Sequence, residues 1–356
     1  MSTNAAAPPL RWADRLRNLA TVMVITIHVA APIAAGRTDY DSSWWWWGNI
    51  YNSLSRASVP LFVMLSGFLL FSKDYPLIPF LKRRFTRVLI PALFWMLAYM
   101  IYASQVEGQP ASLAAAVRSL VEGPVYYHLW FIYLILGLYM TYPILKPWVQ
   151  RASEVEFRYF FLLCILGTWV LKAMLTFLHF GIGLYMELFT NNAGYFVLGY
   201  YLGAKPFDAP TATGIRAWSV GPKRLVWLAV ALIVAGTSIT AIGSWWGCKT
   251  YGNTYFPYFY DYLTPGVGGA AIGWFLLARL TFNGPALTEF EAKFAESSFG
   301  IYFIHVFMMI WWSAAGFWHS RGPAISCVPI IVGIISLSSF LAIMFLRALP
   351  GGDKVT

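Results

Sequence analysis

Long apolar runs recur along this chain, near residues 18–36, 50–72, 86–104, 126–146, 159–179, 188–204, 225–245, 261–279, 298–318 and 324–346. Each approaches the roughly twenty residues that a helix needs to cross a hydrocarbon core about 30 Å thick. Hydrophobic residues make up 59% of the chain and charged residues only 11%, which excludes an ordinary soluble domain. The expected fold is all-α and polytopic, with about ten transmembrane helices and residues 1–356 forming one transmembrane domain.

The net charge of +10 then has to be placed. With the amino terminus in the cytoplasm, the inner connections take nearly all of the 25 lysines and arginines. Only Arg37, Arg118, Lys249 and Arg321 fall on outer connections, and Arg56 and Lys172 fall within spans. By the positive-inside rule both termini are expected in the cytoplasm. Topology accounts for the basic balance, and no nucleic-acid partner is needed. The three cysteines, Cys164, Cys248 and Cys327, have no metal-ligand spacing and form no disulfide framework. A single bridge between Cys248 and Cys327 on the outer side stays open.

The first run, RWADRLRNLATVMVITIHVAAPIAAG from Arg11 to Gly36, carries the main chemical signal. Arg11, Arg15 and Arg17 lead into it, and His28 sits inside it. An ionisable ring in a spanning segment is costly unless it faces a partner or a wet cavity. Arg17 and His28 are eleven positions apart, three turns along one face, so the imidazole lies roughly 16 Å deeper than the guanidinium. A basic flank is also what any first transmembrane helix carries, and a lone His can be satisfied by a neighbouring helix. The His in the h-region and the spans that follow argue for a retained helix over a secretory signal peptide.

Other polar groups inside the apolar runs are further candidates. Arg56 near the outer end of the second run either snorkels to the interface or holds a phosphate or oxyanion. Ser66 and Gly67 lie deeper, where a small pair serves close helix contact or lines a site. His128 and Trp130 open the fourth run near the outer boundary. Ser298, Tyr302 and His305 share one face of the ninth run, as packing glue or as part of a site. Lys172, Glu187 and Asp261 complete the set. The inner cations Lys82, Arg83, Arg84 and Arg87 signal topology or attract the phosphates of a nucleotide-bearing donor. On the outer side, the loop tryptophans Trp44 to Trp47 and the aromatic segment from Trp245 to Tyr262 read as an interfacial belt or as a platform for sugar rings. A neutral imidazole with an Arg three turns away suits group transfer to an alcohol.

Four blocks in order carry a resemblance. Arg17, ten intervening residues and His28, then SVPLFVMLSGFLLF (Ser58 to Phe71), HLWFIYLILGLY (His128 to Tyr139) and SFGIYFIH (Ser298 to His305) are similar to blocks of the acyltransferase 3 family of bacterial integral-membrane O-acyltransferases. Among its members the second and third blocks look most like those that O-acetylate enterobacterial common antigen and exopolysaccharides. The resemblance implies a multi-pass protein of the bacterial inner membrane. It implies acetyl-CoA as a donor entering from the cytoplasm and a polysaccharide or lipid-linked oligosaccharide as acceptor. It also implies that Arg17 and His28 are required, with His28 a base or a transient acyl carrier, and that His128 and the Ser66 to Phe68 step lie near them. The hydrolase-like extra domain of some members is not among these residues, so transfer is expected within the membrane domain. In this frame Arg17, Arg83 and Arg84 bind the donor, and Arg56, Ser66, His128, Trp130, Tyr302 and His305 bind the acceptor. The alternative is an exporter of a glycan or small acylated molecule, which ten spans and an aromatic vestibule would also suit. The scarcity of mid-depth carboxylates argues against it. A glycan-assembly scaffold with a degenerate site is the third reading.

Overall fold

A computed structural model describes residues 10–109, 112–179, 191–206, 215–252, 255–317 and 322–356. Every extended element among them is helical, since in lipid a chain must satisfy its backbone groups within each segment. In chain order the helices are α1 (Arg11–Ala35), α2 (Ser43–Ser55), α3 (Ser58–Phe71), α4 (Leu77–Val106), α5 (Leu113–Glu122), α6 (Trp130–Val149), α7 (Glu154–Cys164), α8 (Leu171–Ala173), α9 (Ala193–Ala204), α10 (Pro222–Tyr251), α11 (Pro265–Thr281), α12 (Glu289–Ala314) and α13 (Ala324–Ala348). Among the described residues nine helical stretches are long and apolar enough to cross a membrane. The remaining run of the sequence ends in α9, twelve residues long, and begins at positions outside the described residues. Glu187 and Arg321 lie outside them too.

Local chemistry explains where the helices start. Thr288 with Glu291, and Ser153 with Glu156, form reciprocal capping boxes at the heads of α12 and α7, each satisfying two orphan N–H groups. Pro222 and Pro265 open α10 and α11, where a missing N–H costs nothing. The side chain of Ser42 accepts from the Trp45 amide, and this cap corrects one expectation. The tryptophan run is the first turn of α2, not a loop, and the second span starts at Ser43. Trp45 is fully buried, its indole N–H donating to the Ala34 carbonyl at 3.0 Å. Likewise α10 runs on to Tyr251, so Trp245 and Trp246 are helical. The fifth span passes from α7 into π-helical turns at Ile165–Val170 and Met174–Leu178, on either side of α8. All three cysteines are free and buried. Cys248 sits in a satellite cluster with Trp45, Phe256 and Tyr258, and Cys327 in the main core, so no bridge links them.

The core lies where α1 packs between α2, α3, α12 and α13. Glycines set its tightest crossing. A Cβ on Gly67 of α3 would lie 1.7 Å from the Phe196 carbonyl oxygen of α9, and one on Gly199 of α9 would lie 1.9 Å from the Met64 carbonyl oxygen. With no apolar driving force between helices in lipid, such backbone approach supplies the dispersion contact. The basic residues gather at one end of the bundle. Arg15 donates to Glu291 and to the carbonyls of Phe282 and Pro285, Arg279 to the carbonyls of Leu202 and Lys205, and Arg347 to Ser297 and the Glu296 carbonyl. Lys146 pairs with Asp74 at this end as well. The head of α1 and the tail of α13 therefore meet the same end, through α12.

Candidate active site

The cavity that matters runs along the inner face of α1. Its volume is about 330 Å³, and it is lined at one end by Arg17, Arg84 and Arg87 and at the other by His28, His128, Trp130, Tyr262 and Tyr302. Ser66, Phe62 and Tyr139 line the stretch between. Arg17 and His28 occupy the two ends because eleven residues of straight helix separate them, roughly 16 Å at 1.5 Å per residue. Arg17 gives one N–H to Asp14 at 2.6 Å, which leaves most of its planar fork of donors uncommitted. Arg84 lies over the ring of Tyr139, with its Cζ 5.7 Å from the centroid. A second cavity, about 320 Å³, reaches Arg17 from its other side, between Arg11, Asp14 and the head of α12.

At the far end three imidazoles converge. The His28 ring lies 5.1 Å from that of His305 and 6.4 Å from that of His128, and His128 and His305 are 5.2 Å apart, centroid to centroid. His28 is partly accessible, on the cavity, whereas His128 is 1% and His305 0% exposed. The His128 ring has no hydrogen bond of good geometry at either nitrogen, and His305 has none at Nε2. His305 Nδ1 stands 2.7 Å from the Tyr302 carbonyl oxygen one turn back, and the Tyr302 hydroxyl donates to the His128 carbonyl at 2.5 Å. Tyr302 thus ties the head of α6 to α12 and sets the spacing of two of the rings. No group of three or more His, Cys, Asp or Glu among the described residues is arranged to hold a metal ion.

Arg56 corrects the snorkelling alternative. It stands at the break between α2 and α3, 9% exposed, donating to Asn52 Oδ1 at 3.1 Å and to the Tyr255 hydroxyl at 3.3 Å. Its guanidinium lies 5.0 Å from the centroid of Tyr260 and 5.6 Å from that of Tyr262. It does not line the cavity itself; Tyr262, which does, stands against it and stacks on Trp130 at 5.5 Å. The Tyr262 carbonyl accepts from the Tyr195 hydroxyl, and Asp261 pairs with Lys172 at 2.6 Å, so this wall is anchored on two sides.

The sequence candidates therefore divide. Arg17, His28, Ser66, Arg84, His128, Trp130 and Tyr302 share one cavity, and His305 packs behind it. His128 stands just ahead of α6, which begins at Trp130, and is 1% exposed, packed against the rings of His28 and His305. Arg83 is exposed and does not line this cavity, whereas Arg87, one turn beyond Arg84, does. The i, i+3 spacing that pairs Arg84 with Arg87 was readable in the sequence. Tyr262 closes the aromatic segment that the sequence offered as a sugar platform and Tyr139 closes the block that opens at His128, but nothing in the sequence placed either one beside these residues. The Ser66 and Gly67 pair splits its duties, the serine on the cavity and the glycine in the helix crossing.

A family model described as an acyltransferase domain, acyltransferase 3, matches residues 10–347. Comparison with curated proteins and with solved structures gives no match.

Proposed function

The chain belongs to the acyltransferase 3 family, and from that premise we propose that it is a multi-pass O-acetyltransferase of the bacterial inner membrane. The donor is acetyl-CoA from the cytoplasm, and the acceptor is a sugar hydroxyl of a surface polysaccharide or exopolysaccharide, or of its lipid-linked precursor. One observation carries this reading: a single cavity joins a cluster of three arginines to a partly accessible imidazole in the bundle interior. The gathering of cations at one end of the bundle supports a cytoplasmic position for that end and for both termini.

In this reading Arg17, Arg84 and Arg87 hold the phosphates of the donor, a task suited to guanidinium forks. The apolar middle of the cavity accommodates the donor's long arm, and Trp130 on Tyr262 offers a flat face to the acceptor sugar. The thioester supplies the activated acyl group. His28 then acts as general base: it takes the proton of the acceptor hydroxyl as the new C–O bond forms and the C–S bond breaks, and the imidazolium returns that proton to the departing thiolate. Among the described residues no protein hydrogen bond holds the His28 ring, which leaves both nitrogens available for this exchange.

The test is labelled acetyl transfer from acetyl-CoA to de-O-acetylated surface polysaccharide by protein purified in detergent. His28→Ala should abolish it while the protein remains folded and inserted. An exporter would transfer nothing in detergent, and a scaffold would be indifferent to His28→Ala. Normal acetylation by that variant removes the mechanism.

A further inference from the structure

Three of the five histidines of this chain meet within 6.4 Å of one another in the bundle interior; His28 and His128 line the cavity, and His305 packs behind them. We propose that His305 is a positioning residue for His28: its Nε2 lone pair receives the second N–H of the His28 ring once that ring has taken the acceptor's proton. This rests on the general-base reading above.

The argument starts from the His305 tautomer. Its Nδ1 is 2.7 Å from the Tyr302 carbonyl oxygen, and a carbonyl only accepts, so the ring's single proton sits on Nδ1 and Nε2 keeps its lone pair. That nitrogen is buried with no partner, and a buried acceptor left unpaired is costly. His28 lies nearer to His305 than to His128, and the ring of His305 is in contact distance of both. Among the described residues no carboxylate joins the three rings in a group that could hold a metal ion. The partner that other bases find in an aspartate is here a neutral acceptor, which avoids burying a second charge. The step balances: one proton passes from hydroxyl to His28, the other ring N–H of the imidazolium is shared with His305 Nε2 without leaving His28, and the first proton goes on to the thiolate.

Two substitutions separate the acceptor from the anchor. In His305→Gln the amide oxygen reaches the Nε2 position and can accept. In His305→Asn the shorter amide reaches only the Nδ1 position, where it keeps the bond to Tyr302 and leaves nothing at Nε2. In detergent, with labelled acetyl-CoA and de-O-acetylated surface polysaccharide, His305→Asn should lower kcat on the order of 100-fold with KM for acetyl-CoA unchanged. His305→Gln should stay within about tenfold of the parent. Any other ordering, with His28→Ala inactive, overturns the proposal; an active His28→Ala overturns instead the reading on which it rests. Nitrogen-15 NMR of histidine-labelled parent protein, with the His305 signal assigned by its loss in His305→Gln, gives an answer that does not depend on His305→Asn folding. A proton on Nδ1 supports the assignment, and one on Nε2 refutes it.

Discussion

Gly67→Ala is the substitution whose cost can be worked most directly from the geometry. The added carbon would sit 1.7 Å from the Phe196 carbonyl oxygen and 2.6 Å from its carbon, against an ordinary contact of 3.4 Å or more. α3 and α9 must therefore move apart locally by up to about 1.7 Å, the shortfall from ordinary contact. The obstacle is backbone on both sides, so no rotamer can absorb it, and Phe71, whose ring is 4.9 Å from Phe196, moves with it. Overpacking of this kind costs about 3 kcal/mol or more, which corresponds to a fall in melting temperature of at least about 5 °C. Gly137→Ala is the control: nothing lies within 4 Å of a Cβ there, and alanine gains up to about 1 kcal/mol of helix propensity. Ser66→Ala, one residue before Gly67 and facing the cavity, should melt as the parent does. The assay is fluorescence-detected size exclusion of detergent-solubilised protein after a heating series. A Gly67→Ala protein melting within about 2 °C of the parent would refute the claim that this glycine is held by helix contact.

The basic end and the capped helices supply further expectations. Arg84→Ala and Arg87→Ala should each raise KM for acetyl-CoA about tenfold, the loss of one charge-assisted phosphate contact, while Arg83→Ala changes neither constant; equal effects at Arg83 and Arg84 would contradict the assignment of the cavity. Lys205→Met should destabilise by about 2–3 kcal/mol, because it strands the Glu154 carboxylate, whose side chain like that of Lys205 is only 8% exposed. Tyr201 and Arg158 still bond that carboxylate, which holds the cost below that of a fully orphaned charge, and the same heating series measures it.

Much of the site was legible before any coordinates. The pairing of Arg17 with His28 is a matter of helical arithmetic, and Ser298, Tyr302 and His305 fall on one face by the same rule. The tryptophan run was placed in a loop because four consecutive aromatics show no helical stripe. The cap from Ser42, which makes them a helical turn, is one hydroxyl in a polar stretch. Arg56 was ambiguous for a different reason. Whether an arginine near a helix end snorkels or stays buried depends on what stands beside it, and Tyr255, Tyr260 and Tyr262 come from about two hundred residues further along.

By itself, the sequence determined the helical membrane class, the placing of the spans, the basic end and the polar residues the bilayer has to tolerate. Those are properties of segments, set by length, hydropathy and the cost of burying charge. Which faces of the helices look inward was decided only in the tertiary structure. In water an apolar stripe marks the buried face, but a helix surrounded by lipid is apolar all round, so that signal is erased and packing against neighbours decides. The meeting of His28, His128 and His305, and the choice of Arg87 over Arg83, follow from that packing.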